Sequence, residues 1–137
     1  MTARLMLAIS KSRIVDVGGS REWTRGIAVL TQDRVVETYY DLMCMCLDSD
    51  VQSAEGSGHD YLRWLKKVEF GDVEHAEVDG NAWVAHITRD KVWFEGLYSQ
   101  GEGGEVTFNQ FKVAVEAYVR YLADPEHKPI EIQFPLQ

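Results

Sequence analysis

Apolar positions recur along the chain at two different periods, and each change of period marks an element. From Thr107 onward, Phe111, Ala114, Val115, Tyr118 and Leu122 return at helical spacing, with Lys112, Glu116 and Arg120 between them. That is the pattern of a helix with one buried face. Thr107-Phe108-Asn109-Gln110 opens it as a capping box: the Thr hydroxyl accepts from the Gln110 N–H, and the Gln110 side chain reaches back. Val106 and Phe111 add a hydrophobic staple on either side of the cap. Asp124-Pro125 ends the helix, because proline disfavours helical geometry in the residue before it. A shorter helix is predicted over 60–69. Tyr61, Leu65 and Val68 form its inner stripe, Leu62 and Trp64 flank it, and Ser57 or His59 is its cap.

Between the two helices the period falls to two, which is a strand signal. A first strand over 73–78 runs into Asp79-Gly80, a preferred tight-hairpin dipeptide, and then into Trp83–Thr88. Arg89-Asp90 turns the chain into a third strand over 92–98. Trp83, Ala85 and Ile87 share one face; Val92, Phe94 and Tyr98 share one face of the next strand. Trp64 and Trp83 fit core positions, whereas Trp93 points away from Val92 and Phe94. It is exposed beside Glu95 if helices cover one side of the sheet, and core if they cover both. Ile130, Ile132 and Phe134 alternate between Pro129 and Pro135, and such prolines suit an edge strand.

In the first third, 14–17 and Ile27–Thr31 read as strands, with Gly18-Gly19 and Gln32-Asp33 as turns. Residues 35–40 read as a strand followed by a short helix from Asp41, and 49–58 and 100–105 as loose connections. The whole pattern predicts an α+β fold: an antiparallel meander with two or three helices packed on it, in one globular domain over 1–137.

Composition changes this picture little until charge is mapped. Hydrophobic residues make up 45% of the 137 and aromatics 11%, enough for a packed core and too much for global disorder. Residues 1–34 carry six Lys/Arg against three Asp/Glu, while the remaining 103 carry eight against nineteen, a net −11. So acidic a body repels nucleic acid and anionic membrane surfaces and attracts basic partners. Arg4 before Leu5–Ile9 has the start of a signal peptide, but the apolar run is too short and Lys11 and Arg13 interrupt it. Cys44 and Cys46, separated only by Met45, suit neither a disulfide nor a zinc knuckle and read as two small buried thiols. The reading is a reduced, cytoplasmic protein without a membrane span.

Catalytic signatures are sparse. Nucleophile elbow, phosphate loop and paired-histidine zinc helix are all missing. Gly101-Glu102-Gly103-Gly104 resembles a cofactor loop, yet Glu102 and Glu105 would repel phosphate, so it reads as a hairpin-to-helix connector. His75 and His86 fall on adjacent strands, where Glu74 or Glu77 can join them as metal ligands or a general-base pair. Their linear spacing is untidy, and the expectation is no cofactor, no stoichiometric metal and no catalytic residue. The acidic stretch from Glu69 to Asp79 has the wrong ligand order for a calcium loop. It reads either as the solvated face of a strand alternating with Val73 and Val78, or as an anionic docking surface. On the second reading Asp48, Asp50, Glu55 and Asp60 extend it.

The run Tyr61-Leu62-Arg63-Trp64-Leu65, the hairpin around Trp83 and 92–94, and the late helix opened by Val106-Thr107-Phe108-Asn109-Gln110-Phe111 carry a resemblance. Over residues 59–123 they resemble the small immunity proteins of bacterial polymorphic-toxin and contact-dependent growth-inhibition systems. The likeness implies a cytoplasmic protein that binds a cognate toxin domain, often a nuclease, and blocks its active site or substrate groove. No catalytic residues carry over with it. The expected partner is a basic toxin domain, held by Glu69, Asp72, Glu74, Glu77 and Asp79 with Trp93 as an aromatic anchor. Two other classes stay open: a small cofactor-independent enzyme with a His/Glu site, and a regulatory interaction domain.

Overall fold

The strand-forming runs sort into two antiparallel sheets and a hairpin in the computed structural model. It describes the backbone of residues 4–11, 13–24 and 26–137, and the side chains of these except 13–17 and 20–24. Strands β1 (Leu5–Ile9), β2 (Arg13–Val17), β3 (Ser20–Thr24) and β4 (Ile27–Thr31) lead through a short 3-10 turn, Thr38–Tyr40, into α1 (Asp41–Asp50) and α2 (Ser57–Glu69). Next come β5 (His75–Asp79), β6 (Trp83–Thr88), β7 (Val92–Gly96) and β8 (Glu102–Val106). Helix α3 (Phe108–Ala123) and β9 (Ile130–Phe134) close the order. One sheet runs β4-β1-β9, the other β5-β6-β7-β8, and β2 pairs with β3. The fold is α+β, as the periodicities predict. Among the described residues, no helix is long and apolar enough to cross a membrane.

The helices bind the two sheets into one continuous apolar core. Helix α1 touches β4 of one sheet and β6, β7 and β8 of the other; α2 lies on β5 and β6. Helix α3 packs mainly against α2, β1 and β9 rather than along the meander. Phe111 on α3 nevertheless reaches Phe94 of β7, with ring centroids 5.5 Å apart, and Tyr61 of α2 at 6.1 Å. All three aromatics are buried, and each such burial stabilises by roughly 1.5–3 kcal/mol. Strand β1, whose Leu5, Leu7 and Ile9 are buried, is the central strand of its sheet. Strand β9 lies at the edge, where Pro129 and Pro135 interrupt no ladder.

The α3 start is as written in the sequence. The Gln110 N–H donates to Thr107 Oγ1 at 3.0 Å, and the Thr107 N–H donates to Gln110 Oε1 at 3.0 Å. Buried Gln110 also donates through Nε2 to the Pro135 carbonyl at 2.9 Å, tying the helix start to the chain leaving β9.

Several local expectations need correction. Helix α2 begins at Ser57, and neither Ser57 nor His59 caps it. Ser57 Oγ instead accepts from the Gln52 and Ser53 N–H groups of the incoming loop. Residues 35–40 form a single bridge, Leu30 to Val36, and the 3-10 turn; the helix then starts at Asp41 as expected. Residues 100–105, read as loose, mostly belong to β8. A register shift lies between Val92 and Phe94, and Gly104 absorbs it with φ +65 where a Cβ would stand 2.7 Å from Leu42.

The β5–β6 turn is also displaced: Asn81 and Ala82 stand at its tip, and the Gly80 N–H donates to the Trp83 carbonyl at 2.8 Å. A buried carboxylate is the reason. Asp50, at the end of α1, accepts from the N–H groups of Ala82 at 3.0 Å and Trp83 at 2.9 Å. It sits so close to Gly80 that a Cβ there would lie 2.1 Å from Asp50 Oδ2. Asp50 therefore pins the hairpin from inside and is no part of an acidic surface.

Candidate functional site

Strand alternation gives the β5–β8 sheet two chemically opposite faces. Ala76, Val78, Ala85, Ile87, Val92 and Phe94 are buried towards the helices. The opposite face carries His75, Glu77 and Asp79 from β5, His86 from β6, Trp93 and Glu95 from β7, and Glu102 from β8. The buried partners within the acidic stretch are thus Ala76 and Val78, while Val73 precedes the strand and is half-buried. In register, Glu77 stands opposite His86 and His86 opposite Trp93, while Glu95 stands opposite Glu102.

The centre of this outer face is an aromatic stack with directed hydrogen bonds. The His86 ring lies on Trp93 with centroids 4.9 Å apart and planes 5° from parallel, and it is only 8% exposed. His75 packs against both rings, at 5.3 Å from His86 and 5.5 Å from Trp93. His86 Nε2 lies 3.0 Å from Glu95 Oε1, and His86 Nδ1 lies 3.1 Å from His75 Nε2 and 3.8 Å from Glu77 Oε1. A carboxylate only accepts, so the His86 Nε2–H donates toward Glu95; in the neutral ring Nδ1 is then the acceptor for the His75 Nε2–H, with the Glu77 carboxylate farther off. Lys91 Nζ, 5.2 Å from the Trp93 centroid, donates to Glu105 Oε1 at 2.9 Å. A shallow cleft of about 360 Å³ opens beside it, lined by Lys91, Trp93, Glu102, Gly103 and Glu105. The Glu77 and Glu95 side chains remain 61% and 50% exposed, so their charge faces solvent.

Of the residues singled out by sequence, Glu77 and Trp93 meet around His86, and Asp79 ends the same face of β5. Asp72 and Glu74 are exposed in the approach to β5. Glu69 belongs elsewhere: at the end of α2 it accepts from Lys112 Nζ of α3 at 2.8 Å. Trp93 is on the outer face and half-buried, covered by imidazole rings and a lysine rather than by a helix. Trp83 is buried as expected, while Trp64 is half-buried under Arg63 and Lys67. The docking set read from the sequence left out Glu95, named there only as the neighbour of Trp93, and Glu102. Glu95 was legible, two residues from Trp93 and hence on its face; Glu102 was hidden by reading β8 as a connector.

Two other features compete for attention. A cleft of about 710 Å³ runs between α2 and α3, with Leu62, Phe70 and Val119 beside Arg63, Lys66 and Arg120. Cys44 and Cys46 are buried, as expected. Burial pushes the Cys46 thiol up to about 12, and its Sγ lies 3.7 Å from the Tyr61 hydroxyl. Such a thiol stays protonated and is no nucleophile. Comparison of the chain with protein-family models, with curated proteins and with solved structures returned no match.

Proposed function

We propose that this protein is an immunity protein: it binds a cognate basic toxin domain through the outer face of β5–β8 and occludes the toxin's active site. One observation carries the reading. A sheet face left open by the helices holds an aromatic centre, Trp93 with His86 and His75, ringed by the carboxylates of Glu77, Asp79, Glu95 and Glu102. An aromatic anchor inside a charged rim is the composition of a binding hot spot. A nuclease must be basic to hold phosphates, so an acidic inhibitor gains association rate and selectivity together. The chain's net charge of −8 adds long-range attraction to the local ring.

The test is binding kinetics against the basic toxin domain encoded beside this chain's own reading frame, at two salt concentrations. A one-to-one complex is expected, with an association rate that falls as salt rises. Asp79→Lys with Glu102→Lys should slow association. Trp93→Ala should instead speed dissociation, because a packed aromatic acts after encounter. A salt-insensitive association rate with silent charge reversals would place the docking surface elsewhere.

A second reading draws on the His86–Glu95 pair, which is the geometry of a general base oriented by a carboxylate. Activity that vanishes in Glu95→Gln while the fold persists would favour a small enzyme instead.

A further inference from the structure

The geometry points to a divalent transition-metal site on the outer sheet face, formed by His75 Nε2, Glu77 Oε1 and His86 Nδ1, with zinc as the ion of matching chemistry. Linear spacing argued against a metal, but the ligands are joined by strand register. His75 and Glu77 are two apart on β5 and share a face, and Glu77 is directly opposite His86 on β6.

The distances fit a tetrahedral ion. Zinc bonds to nitrogen and oxygen are about 2.0–2.2 Å, which sets neighbouring ligand atoms about 3.3–3.5 Å apart. Observed separations of 3.1 Å between the two imidazole nitrogens and 3.8 Å between His86 Nδ1 and Glu77 Oε1 bracket that value. All three ligand atoms lie within 4.8 Å of one another. His75 and Glu77 are exposed, so small rotations of their side chains bring the remaining pair together.

His86 is the prepared member of the set. In the neutral imidazole its Nε2–H donates to Glu95, and Nδ1, beside the other two ligands, is the nitrogen that can bind an ion. This is the carboxylate–histidine–metal arrangement, in which the outer carboxylate sets the tautomer and raises ligand basicity. Stacking on Trp93 holds the ring plane, so little orientation is lost when an ion binds. Two imidazoles and one carboxylate suit zinc, cobalt and nickel and disfavour calcium and magnesium, which take oxygen ligands. The fourth position faces solvent and takes water. A competing set, His86 with Glu95 and Glu102, offers a single imidazole and would consume the carboxylate that orients it.

The experiment uses the full chain, stripped with chelator and titrated with Zn2+ by calorimetry and with Co2+ by visible absorption. One Zn2+ per chain is expected, together with the absorption bands of four-coordinate Co2+. His75→Ala and Glu77→Gln, both at exposed positions, should each weaken binding about tenfold or more, and Glu95→Gln by about 10–100-fold through the outer shell. His59→Ala and His127→Ala, both away from this face, should leave Zn2+ binding unchanged. Circular dichroism of each variant separates ligand loss from unfolding, which matters most for the buried His86. Failure to saturate at one ion per chain would overturn the site. So would binding that survives both His75→Ala and Glu77→Gln, or binding that Glu102→Gln alone abolishes.

Discussion

The two faces of the β5–β8 sheet are built from alternate residues of the same strands, yet they obey different rules. On the inner face Ala85, Ile87, Val92 and Phe94 are fully covered and are selected for volume and apolarity. On the outer face His86 is almost as well covered, but by Trp93, His75 and two carboxylates, with each ring nitrogen directed at a partner. Burial alone therefore does not distinguish scaffold from site here. The inner face stabilises by excluding water from carbon. The outer face holds polar atoms in fixed directions while leaving its acids half in solvent. Substitutions that damage the first should unfold the protein, and those that damage the second should change what it binds.

The largest expected effect is on the inner face. Phe111→Ala or Phe94→Ala removes a fully buried ring at the junction of α3 and the meander and should cost about 3–5 kcal/mol in denaturant unfolding. A loss below about 1 kcal/mol at both would mean that these rings are not the core contact.

Raising pH probes the same core without mutation. Cys46 has an ordinary value of 9.0 and is pushed up to about 12 by burial. Below about pH 9 the thiol is protonated in folded and unfolded chains alike. Between 9 and 12 only the unfolded chain ionises, so stability should fall, by up to about 1.4 kcal/mol per pH unit. Burial also pushes Tyr61 upward, which adds a decline of the same sign at higher pH. Cys46→Ala should flatten the curve above pH 9, and native thiols should resist alkylation until the chain unfolds.

Between the faces, Asp50 holds the hairpin that joins β5 to β6. Asp50→Ala leaves the Ala82 and Trp83 N–H groups without their acceptor and should cost about 1–3 kcal/mol. Hydrogen exchange at those two amides should rise before exchange elsewhere; uniform acceleration would argue against a local clamp. Thr107→Ala removes one side of the capping box and should cost about 1 kcal/mol, read as a shift in the unfolding midpoint. Smallest of all should be the outer-face changes His75→Ala and Glu102→Gln, within about 0.5 kcal/mol of the parent. A larger destabilisation there would turn the histidine cluster into a structural feature and erase the contrast between the faces.

How much of this was legible depends on the range of the interaction involved. The α3 boundaries were readable because cap, staple and proline stop all act within a few residues. The alternation in β6 and β7 was equally readable, and it already placed Trp93 opposite Phe94. The β5–β6 turn was misjudged because Asp79-Gly80 is a good hairpin pair by local preference, whereas Asp50, some thirty residues earlier, claims the neighbouring amides. The glycines of 101–104 looked like a loop because glycine is a poor strand former. Here Gly104 is required by a left-handed φ and by the closeness of Leu42.

Periodicity, caps and charge sign belong to the sequence itself: an acidic α+β chain with a meander, and an apolar and a polar set of positions in each strand. Their physical basis is local, resting on side-chain direction along one strand or helix and on the unpaired groups at a helix end. Tertiary structure alone decided which positions on different strands face one another. Register brought His75, Glu77 and His86 together, and helix packing on one side left Trp93 and its carboxylates open. It also sent Glu69 to a lysine on α3. Those outcomes depend on how separate segments dock, and no spacing along a single strand encodes the distance between two of them.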